Sequence, residues 1–121
     1  MKKVFLFCLI FLLFACEKEY PLTEFYVKNT SNKTIIFDAS VLKGSLMPVE
    51  NIQRFTVFTN DSVLARKVGF KEDGNNPQKW FHKFIIYPVD GIEMNDPELP
   101  ENWIKHNNNG TPTYVFTLNK N

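Results

Sequence analysis

Residues 24–37 read EFYVKNTSNKTIIF. Phe25 and Val27 alternate with Tyr26 and Lys28, so one side of this stretch is apolar and the other mixed, the period of a half-buried strand. Asn29-Thr30-Ser31-Asn32-Lys33 is turn chemistry: Asn and Ser side chains bond their own backbone and favour reversal. Thr34-Ile35-Ile36-Phe37 then resumes with β-branched and aromatic residues. Two strands around a short polar loop predict a hairpin over this stretch and a β-rich fold around it.

The same pattern repeats downstream. Asn51 to Thr59 predicts a third strand, with Phe55 and Val57 on one face and Ile52, Arg54, Thr56 and Phe58 on the other. Asp38 to Glu50 reads as a connection containing Gly44 and Pro48, with room for a short strand at Ser40 to Leu42. Val63 to Phe70 (VLARKVGF) supports either a helical turn capped by Ser62 or an edge strand whose Arg66 and Lys67 discourage further pairing. Phe81 to Val89 (FHKFIIYPV) predicts a strong strand, with Phe81, Ile85, Tyr87 and Val89 on one face and Pro88 marking an edge or an end. Asp90-Gly91 is a tight turn. Trp103-Ile104-Lys105 and Thr113 to Leu118 flank HNNNGTP as a closing hairpin, with Tyr114, Phe116 and Leu118 on one side. Six to eight short strands with no long helical period predict an all-β fold, a small antiparallel β-sandwich over residues 24–121.

The first sixteen residues are different in kind. Met1-Lys2-Lys3 is a short positive start, and Val4 to Phe14 (VFLFCLIFLLF) is unbroken apolar sequence followed by Ala15 and Cys16. Charged start, apolar middle and small residue at the cut are the parts of a secretory signal. The run is too short for a membrane-spanning helix, which needs about 20 apolar residues. Leu13-Phe14-Ala15-Cys16 resembles the lipobox of bacterial lipoproteins, with Phe14 larger than the usual residue there. The resemblance implies a signal peptide over residues 1–15, cleavage before Cys16, and acyl chains on the Cys16 thiol. Residues 16–23 (CEKEYPLT) read as a short tether.

Cleavage there would take fifteen residues from 121 and leave 106, one domain's worth. Lys2 and Lys3 leave with the signal, so 14 basic residues become 12 against 13 acidic ones, a formal charge of −1. Without a basic stripe, nucleic acid is not an expected partner. Cys8 would leave with the signal and Cys16 would carry lipid. No cysteine then remains for a disulfide, a thiolate metal site or a nucleophile, and the domain rests on its aromatic core.

Chemistry-bearing residues are sparse. His82 and His106 have no Cys or second His at ligand spacing, so no metal is expected. Asp90, Glu93, Asp96, Glu98 and Glu101 form an acidic segment, but not in the order of a calcium loop. No nucleophile elbow, phosphate loop or HExxH motif occurs. With no catalytic set and no cofactor motif, the expectation is a protein that is not an enzyme. Trp80, Phe81, Trp103 and Tyr114 are candidates for a glycan- or partner-binding platform, against the alternative that they close the core. Asp61-Ser62-Val63 resembles the D-[ST]-[AILVMT] sequon for O-glycosylation in Bacteroidetes, which implies a glycan on Ser62.

The layout as a whole resembles the small envelope lipoproteins of Bacteroidetes. The matching features are the lipobox, the FYVKNTSNKTI stretch, FIIY followed by DG, and a late NW ahead of TYVFTL. The resemblance implies an immunoglobulin-like sandwich tethered to the cell envelope, most naturally the outer membrane on its periplasmic or surface face. Glu17 and Glu19 loosely resemble the acidic export signals of surface lipoproteins in that group. The expected role is a non-catalytic binding or accessory module engaging a protein or glycan. The alternative is a structural subunit of an envelope or fimbria-like assembly that uses β-strand augmentation.

Overall fold

A computed structural model describes residues 22–44, 46–69 and 80–121. Seven strands are described: β1 (Leu22–Asn29), β2 (Ile35–Lys43), β3 (Val49–Val57), β4 (Asp61–Gly69), β5 (Lys83–Ile86), β6 (Trp103–Asn108) and β7 (Thr111–Thr117). They form an all-β sandwich of two sheets, one ordered β4-β1-β7-β6 and the other β3-β2-β5. All pairings are antiparallel except β1 with β7, which run parallel.

The expected first hairpin is not formed. β1 pairs with β4 and β7, whereas β2 pairs with β3 and β5, so residues 30–34 carry the chain from one sheet to the other. Each strand buries an apolar row on one face: Phe25 and Val27 on β1, Ile35 and Phe37 on β2. Packing these faces against each other, across the interior, buries both rows together. A side chain holds the crossover: Asn29 Nδ2 donates to Lys33 O at 2.7 Å and to Val57 O at 2.9 Å, and Val57 is the register partner of Ile35. Asn29 Oδ1 accepts from Ser31 N and Ser31 Oγ at 2.9 and 2.7 Å. Asn119 Oδ1 accepts from Thr30 N and Thr30 Oγ1 on the same loop.

β1 begins at Leu22, so Leu22 and Thr23 belong to the sheet and not to a tether. β2 runs continuously through Ser40 to Leu42, where a separate short strand was expected. Residues 61–69 are the edge strand β4, and the reason their period is hard to read is a β-bulge. Phe25 pairs with Arg66 but Tyr26 pairs with Leu64, which leaves Ala65 extra. The extra residue breaks the two-residue alternation and brings Arg66 opposite the fully buried Phe25. Arg66 Nη1 donates to Trp80 O. Burial pushes the Arg66 pKa down from its ordinary value.

The strand expected at 81–89 is shorter, Lys83–Ile86, and its faces are reversed. Phe84 and Ile86 point inward, while Ile85 is 50% exposed and Tyr87 36% exposed. Phe81 is also buried, but it lies before the strand, and a bend at residues 81–82 offsets it from the alternation. The closing hairpin is tighter than read, with His106 inside β6 and a reversal at Asn109-Gly110. Both turn residues have positive φ, 51° and 83°, as a two-residue hairpin turn requires.

The core is aromatic. Phe25 stacks on Tyr114 (centroids 5.5 Å apart) and meets the edges of Trp80 (4.7 Å), Phe81 (5.6 Å) and Trp103 (6.0 Å). Phe37 is sandwiched between Phe55 and Phe84 at 4.8 and 4.9 Å. Phe116 meets Phe84 and Trp103. Each such side chain contributes about 1.5–3 kcal/mol by burial, with ring-pair geometry adding to it.

Candidate functional site

Three of the four aromatics considered as a binding platform are core residues, and the fourth packs against them. Phe81, Trp103 and Tyr114 are 7%, 4% and 5% exposed, and Trp80 is half-buried against Phe25 and Tyr114. The Trp103 indole N–H donates to Pro97 O at 2.8 Å and so is satisfied inside the fold. The physical reason is area: with no disulfide in reach, these rings supply the apolar surface that closes the sandwich. Ser62 is exposed near the start of β4, beside Lys28 of β1, with its N–H bonded to Asp61 Oδ1. Cys16 lies outside the described residues. His82 and His106 are both exposed. The acidic segment is a folded turn: Asp96 Oδ1 accepts from Glu98 N, and Asp96 O accepts from Asn102 Nδ2. Among the described residues no three His, Cys, Asp or Glu side chains cluster as metal ligands would.

What the fold leaves in the open is the outer face of the three-stranded sheet. Strand register lays its side chains out in rows. Thr56 of β3 sits beside Ile36 of β2, and Ile36 O accepts from Tyr87 N. The next row is Arg54, Asp38 and Ile85; the one after is Ile52, Ser40 and Lys83; Glu50 and Leu42 complete the face. Ile36, Leu42, Ile52 and Ile85 are 37%, 48%, 61% and 50% exposed. An apolar rim therefore surrounds a polar centre.

That centre is ordered. Arg54 Nε and Nη2 donate to the two Asp38 oxygens at 2.9 and 3.2 Å. Arg54 Nη2 also donates to Tyr87 Oη, and Tyr87 Oη donates to Asp38 Oδ2, both at 2.6 Å. The guanidinium carbon lies 4.9 Å from the Tyr87 ring centroid. A forked pair closed by a hydroxyl holds three side chains in one geometry. The Arg54 bonds, then the Tyr87 hydroxyl, hold the Asp38 carboxyl below its ordinary pKa. The bond to Asp38 holds the Tyr87 phenol above its own.

A carboxyl lowered in the folded state stabilises the fold above its unfolded value, near pH 3.9, and loses that contribution as pH falls through the folded value. A carbon-detected NMR titration is expected to find Asp38 among the last carboxylates to protonate. Arg54→Gln should move its midpoint upward; an unchanged midpoint would show that Arg54 does not hold it.

Next to this cluster is a cleft of about 110 Å³ lined by Asp38, Ser40, Glu50, Ile52, Lys83 and Ile85. The Ser40 hydroxyl lies there, 2% exposed as a residue and without a hydrogen-bond partner. Glu50 Oε1 is 3.8 Å from Lys83 Nζ, within ion-pair range but beyond a hydrogen bond. Buried polar atoms normally find hydrogen-bond partners; these two have none among the described residues, although the Lys83 charge faces Glu50 Oε1. Comparison with protein-family models, curated proteins and solved structures returns no match. The chemistry of this face therefore stands on its own residues.

None of these outer-face residues was singled out in the sequence. The available signal was the polar-side parity of β2 and β3, where Ile36, Leu42 and Ile52 fall among Asp38, Ser40 and Arg54. Three isoleucine or leucine side chains on a face that should be polar mark a surface with something to meet.

Proposed function

We propose that this chain is a lipid-anchored bacterial envelope protein whose sandwich, immunoglobulin-like in architecture, is a non-catalytic binding or accessory module. The anchor is Cys16, acylated after removal of residues 1–15, and the location is the outer membrane. The anchoring part of this reading is supported by the charged start, the apolar run and the LFAC sequence alone.

The observation that carries the binding part is the apolar-rimmed face around Asp38, Ser40, Arg54 and Tyr87. Its exposed isoleucines beside an arginine and a tyrosine held in one geometry suit a protein-recognition patch, where Arg and Tyr are enriched. A protein is favoured over a glycan because Phe81, Trp103 and Tyr114, three of the candidates for stacking on sugars, are inside the fold.

The test places a photocrosslinking residue at Ile52 in the full chain in its native host, with Leu64 on the other sheet as control. A discrete adduct from Ile52 but not from Leu64 is expected. Equal labelling from both positions, or none from either, overturns the binding face. The intact mass of the same native protein reads the anchor. A mass explained by the polypeptide from Cys16 plus acyl chains is expected, and Cys16→Ala should abolish it. A further mass that Ser62→Ala removes would place a glycan on Ser62; polypeptide plus lipid alone would sink that modification.

The second reading, a structural subunit of an envelope assembly, is favoured by β6. Among the described residues it is an edge strand, and every residue from Ile104 to Asn108 is exposed. An open edge of this kind can accept a strand from another chain. A strictly monomeric protein at high concentration in size-exclusion chromatography would count against it.

A further inference from the structure

The two ends of the sandwich are built differently. At one end the buried Asn29 network and Asn119 tie the β1–β2 crossover down. At the other, the connection between β2 and β3 carries Leu46 and Met47, 94% and 84% exposed, with Val49 beside them at 67%. These are the most exposed large apolar side chains among the described residues. Gly44 has φ +105°, and a Cβ there would lie 3.1 Å from Met47 O. Lys43 and Val49 pair directly beneath it, so Leu46 and Met47 stand at its tip.

The register also says which end of the domain this is. Leu22, where β1 begins, pairs with Gly69 at the end of β4. Residues Lys67 and Val68 of β4 line one cavity of about 260 Å³ together with Val41 and Lys43 of β2 and Asn51 of β3. The start of β1, the end of β4 and the β2–β3 tip are therefore neighbours at one end. In sequence Cys16 precedes Leu22 by six residues. A chain of that length reaches about 20 Å at most, even fully extended. Acyl chains on Cys16 would hold this end, and not the opposite one, against the bilayer.

We propose that Leu46 and Met47 insert into the interfacial region of the bilayer as a second membrane contact. The exposed Lys43 and Lys67 lie at phosphate depth, their apolar stems reaching past the surface to the headgroups. The inference rests on the anchoring reading above. A bilayer suits the tip better than a second copy or another protein. Three side chains on a convex turn bury on the order of a few hundred Å², well under the ~1,000 Å² of a stable protein interface. A lipid surface needs no matching concavity, and a second apolar signal beside an acyl anchor gains from its proximity.

The test uses the full chain isolated from its native membrane with Met47→Cys carrying an environment-sensitive fluorophore. It is reconstituted in vesicles of phosphatidylethanolamine and phosphatidylglycerol containing spin-labelled lipid. Asn32→Cys, exposed on the β1–β2 crossover at the opposite end, is the control, and Leu46→Cys is a second tip position. Expected are blue-shifted emission and several-fold quenching at both tip positions, with neither at Asn32. Intact mass of each sample reports the acyl chains separately. If lipid is present on Cys16 and the tip labels emit as in water, the insertion fails while the anchor stands. If Cys16 carries no lipid but the tip labels are quenched, the anchor reading fails and the tip contact stands alone. If neither is seen, both are wrong.

Discussion

Phe25→Ala is expected to lower the unfolding free energy by about 3–5 kcal/mol, the range for deleting a fully buried phenylalanine ring. Phe25 sits on β1, an interior strand of the four-stranded sheet, and is 0% exposed. Four other rings lean on it, from three separate parts of the chain: Trp80 and Phe81 before β5, Trp103 at the start of β6, and Tyr114 on β7. They do not readily collapse together into the cavity, because Trp103 and Tyr114 are held in β6 and β7 and the Trp103 indole is bonded to Pro97 O. The cost therefore combines the lost transfer energy with a cavity that persists. For a domain of this size the melting temperature should fall by about 12–40 °C, which approaches outright unfolding near physiological temperature. Urea denaturation followed by tryptophan fluorescence measures it. Phe58→Ala is the control: Phe58 is 61% exposed and should change stability by no more than about 0.5 kcal/mol. Equal effects at the two positions would mean that the aromatic core is wrongly placed.

Asn29→Asp should cost about 3 kcal/mol at neutral pH and much less in acid. Asn29 is 0% exposed and uses both halves of its amide. Its oxygen accepts from Ser31, and an aspartate could do the same. Its nitrogen donates to the carbonyls of Lys33 and Val57, and a carboxylate there would face two oxygens with no proton to share. Burial and facing carbonyls both disfavour the charged form, so the new carboxyl would have a folded pKa above its unfolded value. A raised pKa of this kind leaves the protein most stable below the unfolded value near pH 3.9. Stability is then lost as pH rises from there to the folded pKa, at about 1.4 kcal/mol per pH unit. Denaturation midpoints of the variant and the parent across that range give the answer. Parallel curves would show that the nitrogen half of the amide matters little.

These two residues also measure what the sequence could say. That Phe25 and Val27 share a buried face follows from alternation alone, and so do the burial of Val57 and of the Tyr114, Phe116 and Leu118 row. Alternation is a local property, set by the pleat of one strand. Pairing partners are not local. NTSNK carries every mark of a hairpin loop, yet it crosses between sheets, because Asn29 finds the carbonyl of Val57 instead of a cross-strand neighbour. Nothing within five residues announces that bond. The period is interrupted at two other places: the bulge at Ala65, which leaves the edge-strand alternative for that stretch the correct one, and the bend before Lys83, which shifts the faces of β5.

The candidate face was illegible for a related reason. Asp38 and Arg54 lie on β2 and β3 and Tyr87 just after β5, 16 and 33 positions apart along the chain, and they meet only once the register of β3, β2 and β5 is known. The aromatic residues drew attention first because their size is visible in any sequence. Size, however, says only that a ring will be buried somewhere, and in a small domain without disulfide bonds the core has first claim on it.

The parallel pairing of β1 with β7 has a temporal side. Glu24 lies against Thr113 and Lys28 against Thr117, and the crossover loop is pinned through Thr30 to Asn119, 89 residues away. An early strand thus waits for a late one, and no N-terminal portion of the chain can complete the four-stranded sheet by itself. Long loops must close before the pairing that rewards them, so folding should be slow for a domain this small, in the millisecond-to-second range. The delay in completing that sheet is written into strand order itself.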